Sequence, residues 1–291
     1  MKFSLIMCTI NRVNEVQRFF QSISKQTYND FELIVVDQNK DDRLKGLIDT
    51  YKNLINLKYI KSVEQGLSKN RNIGLKYVTG DIIAYPDDDC VYPRHTLERI
   101  HEIFIDKNVD SITIQFTELV NDGQNQIELN DFDSSIIRNA KPINKYNCLR
   151  RTCSITIFIN KNVHEFIGGF NENIGLGGTL IQAGEDHDYA FNILKNGYHM
   201  VYLPQIAVLH PVPKINLLHK EQYDKNKNRI ELTGKVNMFM ANTHKLGIDF
   251  KFYRLFDRLA GFVYRAMKLD VKRCKLIYWD IRSMVKYWGL N

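Results

Sequence analysis

The 291-residue sequence predicts an α/β protein with a mostly parallel central sheet and C-terminal amphipathic helices. Two observations support this fold class. In the first hundred residues, short apolar runs alternate with stretches in which apolar residues recur at helical spacing. A strand, a helix and a second strand in this order form the unit from which parallel sheets are built. The composition, 44% hydrophobic and 25% charged, excludes a disordered or fibrous chain.

Strands are expected where an apolar run is bounded by polar residues, and helices where the spacing is helical. In the first part of the chain the expected strands are Phe3–Cys8, Phe31–Val36, Leu57–Ile60, Ile82–Tyr85 and Ser111–Glu118. The expected helices there are Glu15–Gln26, Asp42–Leu54, Ser68–Val78 and His95–Phe104. Farther along we expect a strand over Ser154–Ile159, a helix over Asp186–Lys195, and a strand over Tyr198–Leu203 that Pro204 stops.

Beyond residue 213 the sequence changes character. Apolar residues recur at helical spacing from Phe252 to Ala266 and from Ile277 to Trp288, with Lys and Arg elsewhere around each helix. From Lys245 to Asn291 there are 11 basic and 4 acidic residues, which accounts for the whole formal net charge of +7. We therefore expect one α/β domain over residues 1–213 and a basic helical extension over 214–291.

The sequence also indicates a compartment. No stretch reaches the roughly 18 apolar residues that a membrane-spanning helix needs, and the apolar segment Met1–Ile10 is too short for a signal peptide. The five cysteines are odd in number and lack CxxC spacing, which argues against a disulfide scaffold or a zinc cluster. We expect a cytoplasmic protein.

Polar residues follow three of the expected strands. Thr9, Asn11 and Arg12 follow the first strand, Asp37 ends the second, and Asp87–Asp89 follows the fourth. Ligands of open parallel sheets bind beyond the carboxyl ends of the strands, where such residues meet. Three adjacent carboxylates repel one another unless a cation compensates, and oxygen ligands of this kind suit Mn²⁺ or Mg²⁺. A solvated acidic turn is the alternative explanation.

A second acidic group, Gly184–Asp188, begins the helix expected at Asp186. Acidic residues in a first helical turn interact favourably with the helix dipole, so capping is one explanation. The other is that one of these carboxylates acts as a general base near the cation, with Asp188 facing solvent. The sequence has no GxGxxG after the first strand and no GxxxxGK[ST] motif, which disfavours dehydrogenases and P-loop enzymes.

Taken together, these segments resemble glycosyltransferase family 2, whose catalytic domain has the GT-A fold. The resemblance covers about residues 3 to 210 and rests on motifs that occur in the family's order. The matching segments are Ser4–Arg12, Gln26–Tyr28, Phe31–Asp37, Gly66–Gly74, Asp87–Asp89 at the place of the DxD metal motif, and Gly168–Glu172 followed by Gly184–Asp186. Cys8, Ile10 and Gln38 depart from the family pattern, which leaves the base and sugar preference of the donor open.

The resemblance implies an inverting hexosyltransferase that moves a sugar from a nucleoside diphosphate sugar, with a UDP-sugar favoured, to an acceptor hydroxyl. The acceptor would be a glycan or a lipid-linked glycan, in polysaccharide or cell-envelope synthesis. Asp186 would be the catalytic base and Glu185 would contact the acceptor. A Mn²⁺ or Mg²⁺ ion would be held by Asp87, Asp89 and His210. The residues implied to contact the donor nucleotide are Thr9, Asn11, Arg12, Asp37, Arg71, Asp87 and Asp88.

Three alternative functions remain at this point. A sugar nucleotidyltransferase has a similar sheet, but it needs a Gly-rich loop after the first strand, and Cys8–Glu15 contains no glycine. A nucleic-acid-binding protein could use the basic extension, and a non-catalytic binder of nucleotide sugars is the third alternative. The charges of the extension alternate with an apolar stripe that suits protein or lipid better than phosphate, so we expect no nucleic-acid partner. The aromatic members of that stripe are Phe252, Phe256, Phe262, Trp279 and Trp288.

The basic extension therefore has two expected roles. Its charge and its apolar stripe suit docking on the anionic inner face of the plasma membrane, as a peripheral protein. Alternatively, its helices pack on the catalytic domain.

Overall fold

The computed structural model describes residues 1–107, 109–119, 140–211 and 220–290. The chain divides into two compact units. The first comprises Met1–Asn144 and Arg150–Val212, and the second comprises Lys145–Leu149 and Pro213–Asn291. The domain boundary expected at residue 213 lies outside the described residues.

In the described part of the chain, the first unit contains an eight-stranded mixed sheet with the strand order β3-β2-β1-β4-β7-β5-β8-β6. The β1–β2, β2–β3, β1–β4 and β5–β8 pairs are parallel, whereas β7 runs antiparallel to both β4 and β5. The carboxyl ends of β1 to β5 and of β8 therefore lie at one edge of the sheet. The strands are β1 (Phe3–Thr9), β2 (Phe31–Asp37), β3 (Leu57–Lys61), β4 (Ile82–Ala84), β5 (Ser111–Glu118), β6 (Lys141–Pro142), β7 (Ile157–Asn160) and β8 (Met200–His210).

Helices connect these strands and complete the core. Every residue of β1 and β2 is buried, which is the pattern of strands covered on both faces. Val16, Phe19 and Phe20 of the first helix are fully buried with them. The helices of this part of the chain are α1 (Asn14–Ile23), α2 (Lys45–Tyr51), α3 (Leu67–Leu75), α4 (Thr96–Lys107), α5 (Cys148–Arg151), α6 (Lys161–Ile167) and α7 (Glu185–Lys195).

The expected strand and helix positions agree with β1 to β5 and α1 to α4 to within a few residues at each end, but the expected end at Pro204 is wrong. Strand β8 continues to His210. Leu203 pairs with Ile114, and the next pair is Ala207 with Gln115, so residues 204–206 bulge out of the ladder. Because proline has no N–H to donate, the bulge removes it from the ladder without ending the strand. This bulged strand carries His210 to the carboxyl edge of the sheet. The other late strand, expected from Ser154, begins at Ile157 after one 3₁₀ turn.

The second unit is helical, with α8 (Lys220–Thr243), α9 (Ile248–Met267) and α10 (Val271–Lys286). Helix α10 packs on both α8 and α9. The side chains of Met238, Met240, Phe250 and Met284 are fully buried in this unit. Among the described residues, no helix combines the length and the apolar character that a membrane crossing requires.

Candidate active site

The strand ends bring the first group of predicted site residues together. Thr9 and Asp37 are paired residues at the ends of β1 and β2. The backbone of Asp87 forms an isolated parallel β-bridge with that of Cys8. The Thr9 hydroxyl donates a hydrogen bond of 2.7 Å to Asp88 Oδ2. The carboxyl edge of the sheet therefore gathers the acidic run and the residues that end the first two strands.

The acidic run is partly neutralised by Arg12. Its Nη1 donates to Asp88 Oδ1 at 2.5 Å and to Asp89 Oδ2 at 2.6 Å. Asp88 is buried, and this burial raises its pKa to about 6, although Thr9 and Arg12 act in the opposite direction. Arg12 itself is 42% exposed at its side chain, so it reaches the carboxylates from the open side.

His210 approaches the same run from β8. Its Nε2 lies 3.2 Å from Asp89 Oδ1 and 3.9 Å from Asp87 Oδ2. The proximity of Asp89 raises the pKa of His210. Burial would raise the pKa of Asp89, but His210 and Arg12 outweigh it and lower that pKa. The structure thus brings together the three residues that the sequence suggested for a metal.

The donor atoms of this group fit a divalent cation. Asp89 Oδ1 is buried, and its one ion-pair contact among the described residues is with His210 Nε2. Ligand atoms of Asp89, His210 and Cys90 all lie within 4.8 Å of one another. The carboxylate oxygens suit Mn²⁺ or Mg²⁺, whereas imidazole and sulfur are more usual ligands of softer ions. Burial raises the pKa of the Cys90 thiol, which disfavours the thiolate that would bind a metal. Sequence reasoning did not single out Cys90, although it follows the acidic run directly.

Arg71 links the acidic run to the second acidic group. Its guanidinium donates from Nη2 to Asp87 Oδ1 (3.1 Å) and Ser154 Oγ (2.8 Å), and from Nη1 to Glu185 Oε1 (3.4 Å). The side chain is only 2% exposed. Burial alone would lower the pKa of Arg71, but the charges of Asp87 and Glu185 raise it. The structure places Arg71 between two sets of carboxylates, and its predicted contact with the nucleotide stays a prediction.

The second acidic group begins α7. Gly184, with φ of 91°, takes the left-handed conformation that glycine adopts without cost and starts the helix at Glu185. Burial and the charge of Asp186 raise the pKa of Glu185. Asp186 Oδ1 accepts the backbone N–H of His187 at 2.8 Å, and no Arg or Lys in the described residues forms an ion pair with it. Asp188, expected to face solvent, is buried, so that expectation is wrong.

Asp37 is the centre of a hydrogen-bond cluster at the end of β2. Its Oδ2 accepts Tyr59 Oη (2.6 Å) and Lys61 Nζ (3.1 Å), and its Oδ1 accepts the backbone and side-chain N–H groups of Asn39 (2.8 and 2.6 Å). Asn39 in turn accepts the backbone N–H of Asn11, whose φ is 60°. Sequence reasoning named Asp37 and Asn11 but missed Asn39, Tyr59 and Lys61. Lys61 could have been found, because it ends β3 in register with Asp37.

A cavity of about 230 Å³ lies in the same unit. It is lined by the end of β5, by residues 150–153 and by Tyr202 of β8. Cys153 in this lining directly precedes Ser154, whose hydroxyl binds Arg71. The Arg151 guanidinium lies 4.3 Å from the centre of the Tyr202 ring. The lining of the cavity and the hydrogen-bond partner of Arg71 are therefore adjacent in sequence.

Known sequences that are similar to this chain are those of glycosyltransferases. The family model described as glycosyl transferase family 2 matches residues 4–165. Glycosyltransferase AglE of Haloferax volcanii is 25% identical over 237 residues, which cover 79% of this chain and 73% of AglE. The poly(ribitol-phosphate) beta-N-acetylglucosaminyltransferase TarS of Staphylococcus aureus is 30% identical over 118 residues, 39% of this chain and 20% of TarS.

Two solved structures align with nearly the whole chain. The crystal structure of TarS residues 1–349 in complex with UDP-GlcNAc matches with a TM-score of 0.59 at 17% identity, over 99% of this chain and 91% of that one. The present chain spans 54% of the length of the chain in the crystal structure of TarS. The mannosyltransferase PcManGT from Pyrobaculum calidifontis, in complex with GDP-Man and Mn²⁺, matches with a TM-score of 0.65 at 17% identity, over 100% of this chain and 88% of that one.

Proposed function

The chain belongs to glycosyl transferase family 2 and has the GT-A fold, and from this premise we propose that it transfers a hexosyl group with inversion. The donor would be a nucleoside diphosphate sugar and the acceptor a hydroxyl of a glycan. One observation carries the proposal. Arg71 is bonded at once to Asp87 of the candidate metal site and to Glu185 beside the candidate base. A single guanidinium therefore links the proposed metal site to Glu185, which lies beside the proposed base, through hydrogen bonds.

The donor side consists of the carboxyl edge of the sheet. Asp87, Asp89 and His210 would hold the divalent ion, with Mn²⁺ favoured over Mg²⁺ because a structural neighbour was solved with Mn²⁺. When bound, such an ion neutralises the charge that develops on a leaving diphosphate. The residues that would contact the nucleotide are Thr9, Asn11, Arg12, Asp37, Arg71, Asp87 and Asp88. We favour UDP, which the TarS complex contains, although the mannosyltransferase neighbour contains GDP-Man.

The acceptor side consists of the start of α7 and the adjoining cavity. In a single displacement, the acceptor oxygen bonds to the anomeric carbon while the bond from that carbon to the diphosphate oxygen breaks. Asp186 would take the proton of the acceptor hydroxyl, as the base carboxylate does in inverting glycosidases. Glu185, fixed by Arg71, would orient the acceptor. We place the acceptor in the cavity lined by Arg151 and Tyr202.

The relatives also suggest a biological setting. AglE is a glycosyltransferase, and TarS is a poly(ribitol-phosphate) beta-N-acetylglucosaminyltransferase. We propose that this chain also works in polysaccharide or cell-envelope glycan synthesis, on a glycan or lipid-linked acceptor. Its place would be the cytoplasm, at the inner face of the plasma membrane.

The test begins with donor binding. The purified protein is heated with UDP-GlcNAc or GDP-mannose, each with and without Mn²⁺. A ligand at about 100 times its Kd stabilises by about 2.7 kcal/mol, which gives a measurable rise in the unfolding temperature. We expect the rise to require the ion. The anomeric configuration of the transferred sugar is then read by NMR, and retention would refute the single displacement.

A further inference from the structure

Helix α9 has its apolar residues on the outside. Phe252, Phe256, Leu259, Val263 and Met267 are all exposed, with Phe256 at 64% and Met267 at 78%. Their spacing of three or four residues places them on one face along the length of the helix. Of the aromatic stripe expected from the sequence, Phe252 and Phe256 lie on this outer face, whereas Phe262, Trp279 and Trp288 are half-buried.

Two charged residues of the same helix, Arg254 and Arg258, contact the other helices of the unit. Arg254 is buried, and its Nη2 lies 3.5 Å from Asn237 Oδ1 of α8. Arg258 Nε lies 2.9 Å from Asp280 Oδ2 of α10, and burial raises the pKa of Asp280. A helix that packs only on its own unit places apolar residues inside and charges outside. Helix α9 buries Phe250 at its start, but it also buries Arg254 and exposes most of its later apolar residues. The outer face of α9 is therefore suited to a second apolar environment.

The turn after α9 shows the same reversal. Leu269 is 86% exposed and has φ of 55°, a left-handed conformation that glycine or asparagine adopts at much lower cost. Leucine at this position costs stability through its backbone, and its exposed side chain contributes almost no burial in return, so folding does not account for it. Val271, which begins α10, is exposed beside it. The end of α9 and this turn form an apolar tip.

Positive charge surrounds the tip. Residues 265–273 contain four basic residues and one acidic residue. Lys268 and Lys272 are exposed, and Arg273 is more than half exposed. Lys268 directly follows Met267 at the end of α9, and Lys272 and Arg273 lie in the first turn of α10 next to the exposed Val271. An apolar face bordered by Lys and Arg is the pattern of a helix that lies in the interface of an anionic bilayer.

We propose that the outer face of α9 and the tip 267–271 dock on an anionic lipid surface. Charge decides between lipid and a second copy of the chain. A second copy would bring the same excess of positive charge to the interface, since residues 245–291 carry the whole net charge of +7. Anionic headgroups are instead attracted to each Lys or Arg near the surface. The proposal concerns binding alone, and its test needs neither donor nor acceptor.

The test is flotation of the full chain with two kinds of vesicle, phosphatidylcholine alone and phosphatidylcholine mixed with phosphatidylglycerol. We expect binding to the mixed vesicles only, weakened by salt. Leu269→Asn should lower partitioning about tenfold, the effect of one lost apolar side chain. Replacing Lys268 and Lys272 by Gln should lower it about fivefold for each cation. Val63→Ser, which removes an exposed apolar side chain of the first unit, is the matched control and should change nothing.

Thermal unfolding of Leu269→Asn separates docking from a structural role. Asparagine tolerates the left-handed conformation, so the unfolding temperature should stay the same or rise while vesicle binding falls. A fall in both would overturn the proposal, as would equal flotation with the two kinds of vesicle. Sedimentation provides the remaining outcome. If the wild-type chain is a dimer that Leu269→Asn or Phe256→Ser dissociates, the face belongs to a second copy and the lipid proposal is wrong.

Discussion

Replacing Arg71 by Met should destabilise the first unit through a defined electrostatic loss. The substitution removes the hydrogen bonds to Asp87, Glu185 and Ser154 and leaves two carboxylates without their shared cation. Leaving a buried charge unpaired typically costs about 3–5 kcal/mol. Asp87 is about one-third exposed and can regain some hydration, so we expect the lower end, about 3 kcal/mol.

Arg71→Lys provides an internal comparison. It keeps the positive charge, but one ammonium group cannot reproduce the forked contacts of a guanidinium with both carboxylates. The free energy of unfolding of Arg71→Lys should lie between those of the wild type and Arg71→Met. Arg43→Met is the matched control, because Arg43 pairs with Asp41 at the exposed surface and its loss should hardly change the free energy of unfolding.

The measurement is urea unfolding followed by circular dichroism in the presence of a chelator. Both tryptophans, Trp279 and Trp288, lie in the second unit, so their fluorescence reports on that unit separately. Only the transition of the first unit should shift. A loss below about 1 kcal/mol for Arg71→Met, the size of an exposed pair, would refute the argument that Arg71 neutralises these carboxylates.

Three further predictions follow from the described contacts. Asp186→Asn should lower turnover by about 10² to 10⁴ while donor affinity, measured by thermal shift, stays the same; loss of less than tenfold would reassign the base. Asp89→Asn should abolish the Mn²⁺-dependent part of donor binding, and full activity in excess EDTA would argue against the metal site. Burial raises the pKa of Glu32, but hydrogen bonds from Ser4 and Thr79 outweigh it and lower that pKa. Glu32 thus stabilises the fold above about pH 4.3, the pKa of its carboxyl group in the unfolded chain. This stabilisation is lost as the pH falls through the lower pKa that the group has in the folded protein. Glu32→Gln should reduce the loss, as measured by urea unfolding at a series of pH values.

Much of the fold followed from local patterns. The strand ends were predictable because an apolar run that stops at a polar residue marks its own boundary, as at Thr9 and Asp37. Pro204 misled because proline ends ladder pairing, and only the partner strand shows that pairing resumes at Ala207. Helical spacing located the stripe of α9 correctly, but it does not reveal which side meets the rest of the unit. Cys90 was missed because its approach to His210 joins residues far apart in sequence.

The two oxygens of Asp89 face different cations. Oδ2 accepts Arg12, whereas Oδ1 faces His210 and the site proposed for a divalent ion. A carboxylate whose charge is already divided binds a free ion less tightly than an undivided one, so retention of the ion would rely on oxygens that the diphosphate brings. Asp89 and His210 would then hold a divalent ion more firmly when the diphosphate of a donor is also present. Once a nucleoside diphosphate has left, Arg12 would be the only counter-charge that Asp89 shares with Asp88 among the described residues.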